Sequence, residues 1–185
     1  SRPGAQVGRV GHHQGVRRPI RPAQNRLHAF ILAKRDERFL VRSRRLMTSF
    51  SSFADLERMR GQSVGQSDWL TVTQELVDDF ARVSQDQQWI HVDPERAKRE
   101  SPLGTTIAHG FLTVSLLSHL IQQCISFPTA RMSLNYGFDR LRFVSPVPVG
   151  SQIRGVFALD DVKMVAGRAQ ITWRAEEEIR DVIGA

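Results

Sequence analysis

The sequence contains a single cysteine, Cys124, which excludes an intramolecular disulfide framework and a cysteine-based zinc site. No apolar run approaches the roughly 18–20 residues that a membrane-spanning helix needs. Together these point to a reducing, cytoplasmic setting with no membrane partner. Internal repeats, low-complexity tracts, glycine-rich phosphate loops and a Gly-x-Ser-x-Gly nucleophile turn are missing as well. What is present is a chain of 185 residues with 41% hydrophobic content, enough to pack one ordinary domain and to exclude wholesale disorder.

A formal charge of +7 suggests nucleic acid as a partner until the charge is divided along the chain. Residues 1–46 hold 12 Lys and Arg against Asp36 and Glu37, a net +10. The remaining 139 residues hold 14 Lys and Arg against 17 Asp and Glu, a net −3. The basic character therefore belongs to the first quarter, which carries only Phe30 and Phe39 as aromatics and so lacks stacking platforms for bases. No nucleic-acid partner is expected. At Met47, the first methionine, the composition changes from Arg-rich to mixed and amphipathic. Residues 1–46 are expected to be a disordered or non-native extension, the other reading being a targeting or polyanion-binding arm. The domain is expected to span 47–185.

Within that domain, Phe50, Phe53, Leu56 and Met59 recur at three-residue steps and predict an opening helix over 48–62. Trp69–Thr73 reads as a strand, and Thr73 as the N-cap of a helix over 74–84 with Glu75 in its first turn. A polar loop, 85–88, leads into a short extended segment, 89–92. Asp93-Pro94-Glu95 then starts a helix over 94–100, with proline where its missing N–H costs nothing. The longest apolar stretch, Phe111 to about Ile125, predicts a helix apolar on most sides, which must be wrapped by something else. Strand-like runs over 131–143, 152–162 and 168–177 supply the wrapper. The expected class is α+β, a curled antiparallel sheet around one long central helix.

Asp86, His91 and His109 are the polar residues that interrupt this core pattern. Asp86 and His91 lie five positions apart across a loop and a short segment, which can curl both into one pocket. A carboxylate beside an imidazole that titrates near neutrality suits general acid–base work on a bound water. His109-Gly110 falls at the start of the buried helix, where unpaired N–H groups carry partial positive charge. Such a terminus can hold a carbonyl oxygen as negative charge develops on it, and glycine lets a ligand approach the backbone. The spacings match no standard zinc pattern, so no metal is expected.

The stretch from Phe80 to Ala97, with Asp86-Gln87-Gln88-Trp89-Ile90-His91-Val92-Asp93-Pro94-Glu95 at its centre, is followed by Gly104-Thr105-Thr106-Ile107-Ala108-His109-Gly110-Phe111. This pattern resembles the hydratase motif of the MaoC-like dehydratases, the (R)-specific enoyl-CoA hydratases with a hot-dog fold. The run Gln-Trp-Ile-His-Val-Asp-Pro-Glu-Arg-Ala is most similar to their nodulation protein N-like subgroup. The resemblance covers about residues 50–178.

It implies reversible hydration of a trans-2-enoyl-CoA to a (3R)-hydroxyacyl-CoA, with Asp86 and His91 activating the water. Gly110 matches the residue whose N–H polarises the thioester carbonyl. Gln88, Ser118, Asn135 and Tyr136 are implied at the substrate pocket, the last two on the strand after the central helix, and His109 as structural. The implied substrate is an acyl-CoA or acyl-carrier-protein thioester. A homodimer is implied too, and no cofactor, because the thioester itself is the electron sink. By strand count the family's last strand is missing from this chain, leaving an open sheet edge. A catalytically silent acyl-thioester-binding protein and a thioesterase on the same fold are the competing readings.

Overall fold

A computed structural model describes residues 47–180; the basic segment over 1–46 and the final five residues lie outside the described residues. In chain order the elements are β1 (Thr48–Ser49), α1 (Phe53–Arg58), β2 (Ser63–Gln66), β3 (Leu70–Thr71), α2 (Gln74–Ser84), α3 (Trp89–Val92), α4 (Pro94–Glu100), α5 (Gly110–Gln122), β4 (Ile125–Ser126), β5 (Gln152–Val165) and β6 (Arg168–Arg180).

Local chemistry sets most of the boundaries. The opening helix is shorter than its periodicity predicts, because Ser52 and Asp55 form a reciprocal capping box that fixes its start at residue 53. Thr73 Oγ1 accepts from the Leu76 N–H, as an N-cap should, and Gln85 ends α2 in the left-handed conformation at φ 62°. Asp93 caps α4 by accepting from the Arg96 N–H, with Pro94 at the first helical position. The 89–92 segment expected to be extended is instead one helical turn, with the His91 N–H bonded to the Gln88 carbonyl.

The sheet is built on β5. It pairs antiparallel with β2 and β3 on one edge and with β6 along thirteen registered positions on the other. A two-residue turn joins β5 to β6, with Ala166 at φ 50° and Gly167 at φ 75°. Two positive φ angles give the turn whose twist suits a hairpin. Ile153 and Phe157 face the core at odd positions; a bulge between Leu159 and Asp161 then shifts the parity, so that Val162 continues the buried row.

Helix α5 lies on this row. Leu117, Leu120, Ile153, Phe157 and Leu159 are all essentially inaccessible, with Trp173 and Ala175 of β6 completing the layer. Gly155 allows the close approach, since a Cβ there would sit 2.4 Å from the Phe157 ring and 3.4 Å from Leu120.

One expected strand does not form. Residues 131–143 carry no ladder, and among the described residues β6 pairs with β5 alone. Strand-forming residues without a neighbouring edge have no ladder to join. Met132, Leu134 and Tyr136 are consequently left 73–81% exposed.

Candidate active site

Three segments converge around His91. The α2–α3 loop brings Asp86, the turn of α3 brings His91, and the approach to α5 brings His109 and Gly110. The His91 Nδ1 sits 2.7 Å from the Ile107 carbonyl, and the His109 Nε2 sits 2.9 Å from the carbonyl of Asp86. A carbonyl only accepts, so each contacting nitrogen carries a proton, and in neutral His91 the lone pair is on Nε2. His109 thus ties the Asp86 loop to the head of α5. Its Nδ1 is buried without a partner.

The two imidazoles stack with centroids 3.8 Å apart and planes 25° from parallel, and Phe80 leans on His109 at 5.1 Å. Burial pushes the His91 imidazole below its ordinary pKa, and the nearby His109 acts in the same direction. The Ile107 carbonyl and the Asp86 carboxylate oppose the shift. His91 is therefore neutral at pH 7, with Nε2 available as a base. Asp86, half-buried, keeps an oxygen 3.4 Å from the Gln88 N–H.

Ligand atoms of Asp86, His91 and His109 all lie within 4.8 Å of one another, a donor set that could hold a metal ion.

A cleft of about 260 Å³ opens here, with His91, Gly110 and Thr113 on one side and Phe143–Val147 on the other. At its mouth the first turn of α5 offers N–H groups without intrahelical acceptors. A Cβ on Gly110 would lie 2.7–2.9 Å from the Phe143 ring, so glycine is required for the present packing.

The other expected pocket residues fall elsewhere. Gln88 is exposed and caps α3 through its backbone. The strand that was to carry Asn135 and Tyr136 is irregular chain. Asn135 donates to Ser118 Oγ at 3.2 Å, and Tyr136 is 81% exposed. Ser118 thus pairs with Asn135, two turns along α5 from Gly110, and neither lines the cleft.

Sequence reasoning missed the braces. Gln74 Nε2 donates to the His91 carbonyl at 2.7 Å while its Oε1 accepts from the buried Thr106 hydroxyl at 2.5 Å. The Ile107 N–H completes the tie by donating to the Ile90 carbonyl. Nothing in the pattern around Gln74, a first-turn helix residue, marks it as part of a site.

Residues 55–180 match the MaoC like domain family. The chain belongs to the MaoC-like dehydratase family. It is 47% identical over 134 residues to 3-hydroxyacyl-thioester dehydratase Z of Mycobacterium tuberculosis, spanning 72% of this chain and 88% of that protein. It is 46% identical over 142 residues to nodulation protein N of Rhizobium leguminosarum bv. viciae, spanning 72% and 87%. Among solved structures, the monoamine oxidase regulatory protein from Archaeoglobus fulgius superposes with a TM-score of 0.52 at 19% identity, covering 72% of this chain and 97% of that one. The MaoC-like architecture here is the hot-dog arrangement of helix and antiparallel sheet, with the sheet open at β6. No helix among the described residues is long and apolar enough to cross a membrane.

Proposed function

We propose that this MaoC-like dehydratase interconverts a trans-2-enoyl thioester and a (3R)-3-hydroxyacyl thioester, with Asp86 and His91 as the acid–base pair. The observation that carries the reading is a neutral imidazole, His91, that lies within reach of the Asp86 carboxylate and lines a cleft bordered by the unpaired helix terminus at Gly110. In hydration, Asp86 and His91 Nε2 hold the water and take one of its protons as its oxygen bonds to C3. The C2–C3 π electrons move toward the thioester carbonyl, whose oxygen gains charge against the Gly110 N–H. A proton delivered from the pair to C2 completes the addition, and the reverse sequence expels water. The relative named 3-hydroxyacyl-thioester dehydratase Z and the match to the MaoC like domain favour this chemistry over hydrolysis of the thioester.

The substrate carrier is a CoA or acyl-carrier-protein thioester. A homodimer fits the exposed apolar surface of Met132, Leu134, Tyr136 and Phe138, which a second copy would cover. The domain starts at about residue 47, with 1–46 as an extension that takes no part in catalysis.

The test is the loss of enoyl-thioester absorbance with crotonyl-CoA, run beside Asp86→Asn. The expected result is a fall of about 10²–10⁴-fold in the variant, the usual contribution of a positioned acid–base group. Release of free CoA would point to a thioesterase. Binding without turnover, unchanged in Asp86→Asn, would point to a silent acyl-thioester-binding protein.

A further inference from the structure

Glu177 stands on the core-facing side of β6, in the row that also presents Trp173 and Ala175 to α5. Its carboxyl Oε1 is buried without a partner, and Thr113 is the side chain within hydrogen-bonding reach. Opposite it in register is Gly155 of β5, which brings no side chain. Glu176 and Glu178 point to the other face of the sheet, where Glu178 pairs with Arg154. Neither α5 nor β5 thus brings a charge to Glu177, and His91, which lines the same cleft as Thr113, is the titratable group beyond it.

Thr113 lies in the first turn of α5 and lines the cleft beside Gly110 and His91. Its hydroxyl donates to the Gly110 carbonyl at 3.0 Å. A threonine has one hydroxyl proton, and two acceptors compete for it here. An ionised Glu177 is the stronger, charged acceptor and draws the proton away from Gly110. A protonated Glu177 instead donates its own O–H to a Thr113 lone pair, leaving the threonine proton on the Gly110 carbonyl.

We propose that Glu177 is a positioning residue, protonated in the active form, that acts through Thr113 to fix the first turn of α5 at Gly110. The inference rests on the reading of that turn as the thioester-carbonyl site. Burial supports the protonated form, raising the carboxyl to about 7 against the opposing pull of Thr113. A group used in neutral form loses about tenfold of that form for each pH unit above its pKa.

The experiment measures kcat and KM for crotonyl-CoA on the full chain, from about pH 5.5 to 9, alongside thermal unfolding midpoints over a range extended down to about pH 4.5. Glu177→Gln cannot ionise yet still donates to Thr113. It is expected to keep activity within about threefold of the parent near pH 6 and to lose the parent's decline above about pH 7. Thr113→Val is expected to lower kcat about tenfold or more, with less effect on KM, at every pH. An alkaline decline shared by the parent and Glu177→Gln would overturn the proposal. Should that variant fail to fold, persistence of the parent's decline in Thr113→Val would overturn it equally.

If no chain turns over crotonyl-CoA, the hydratase reading fails and stability decides the relay. A raised carboxyl pKa makes the folded parent bind a proton that the unfolded chain has released. Its midpoint should then fall as pH rises from about 4.5 to 7 and level off above. That slope should be missing in Glu177→Gln, and an identical slope in both would overturn the relay.

Discussion

His91 and His109 lie ring on ring, 3.8 Å between centroids, each anchored to a backbone carbonyl through one ring nitrogen. Burial first, and then the neighbouring His109, disfavour a charge on His91.

The first prediction concerns pH. The folded-state pKa of His91 is depressed, so its stabilising contribution is fully present above about 6.5 and is lost as pH falls through the lower folded value. In the proposed mechanism His91 acts through its Nε2 lone pair, so turnover should fall over the same acid window. His91→Gln should flatten the stability profile there and remove activity. An unaltered slope in the variant would show that another group titrates.

Gly110→Ala places a methyl where the Phe143 ring now sits. The ring is the half-exposed end of a mobile side chain, so the protein should fold while the helix terminus becomes crowded. We expect kcat/KM to fall about tenfold or more, since misplacement at an oxyanion donor is costly. Phe143→Ala in the same chain should recover part of the loss, and a double-mutant cycle measures the coupling.

Gln74→Leu leaves the buried Thr106 hydroxyl and the His91 carbonyl without their shared partner. The expected cost is about 1–3 kcal/mol in unfolding free energy, the penalty for buried polar groups left unpaired. Turnover should fall as well, because the α3 turn that carries His91 loses its tie. Denaturant titration beside steady-state rates separates the two effects.

Cys124 is buried against Gly65 and its thiol is pushed up to about 12, first by burial and then by the Asp68 charge. Because only the thiolate reacts readily, the native protein should resist thiol reagents near neutral pH and react once unfolded. Rapid labelling of the native chain would contradict the burial described here.

The catalytic segment was legible because its signals are local. A threonine or aspartate cap, a proline at the first helical position and a glycine at a helix start each act within a few residues, and α2, α4 and α5 begin where they say. The nearness of Asp86 to His91 followed from the family resemblance rather than from their spacing, since a five-residue spacing alone does not bend a loop. The α3 turn was read as extended because its four residues carry no period long enough to distinguish the two conformations.

Other features depended on partners distant in the chain. Residues 131–143 have strand-forming side chains, yet a strand exists only where a neighbouring edge accepts it, and none of the described residues does so. Asn135 and Tyr136 therefore leave the pocket to which the pattern assigned them. The brace from Gln74 to Thr106 spans 32 positions, and the carboxyl of Glu177 reaches the head of α5 across the sheet. The sequence by itself determined the starts of α2, α4 and α5 and the family. Tertiary structure alone decided which nitrogen of each histidine meets a carbonyl, which side chains hold the loops, and that an acid lies buried near the first turn of α5, because burial and hydrogen-bond partnership exist only once distant segments meet.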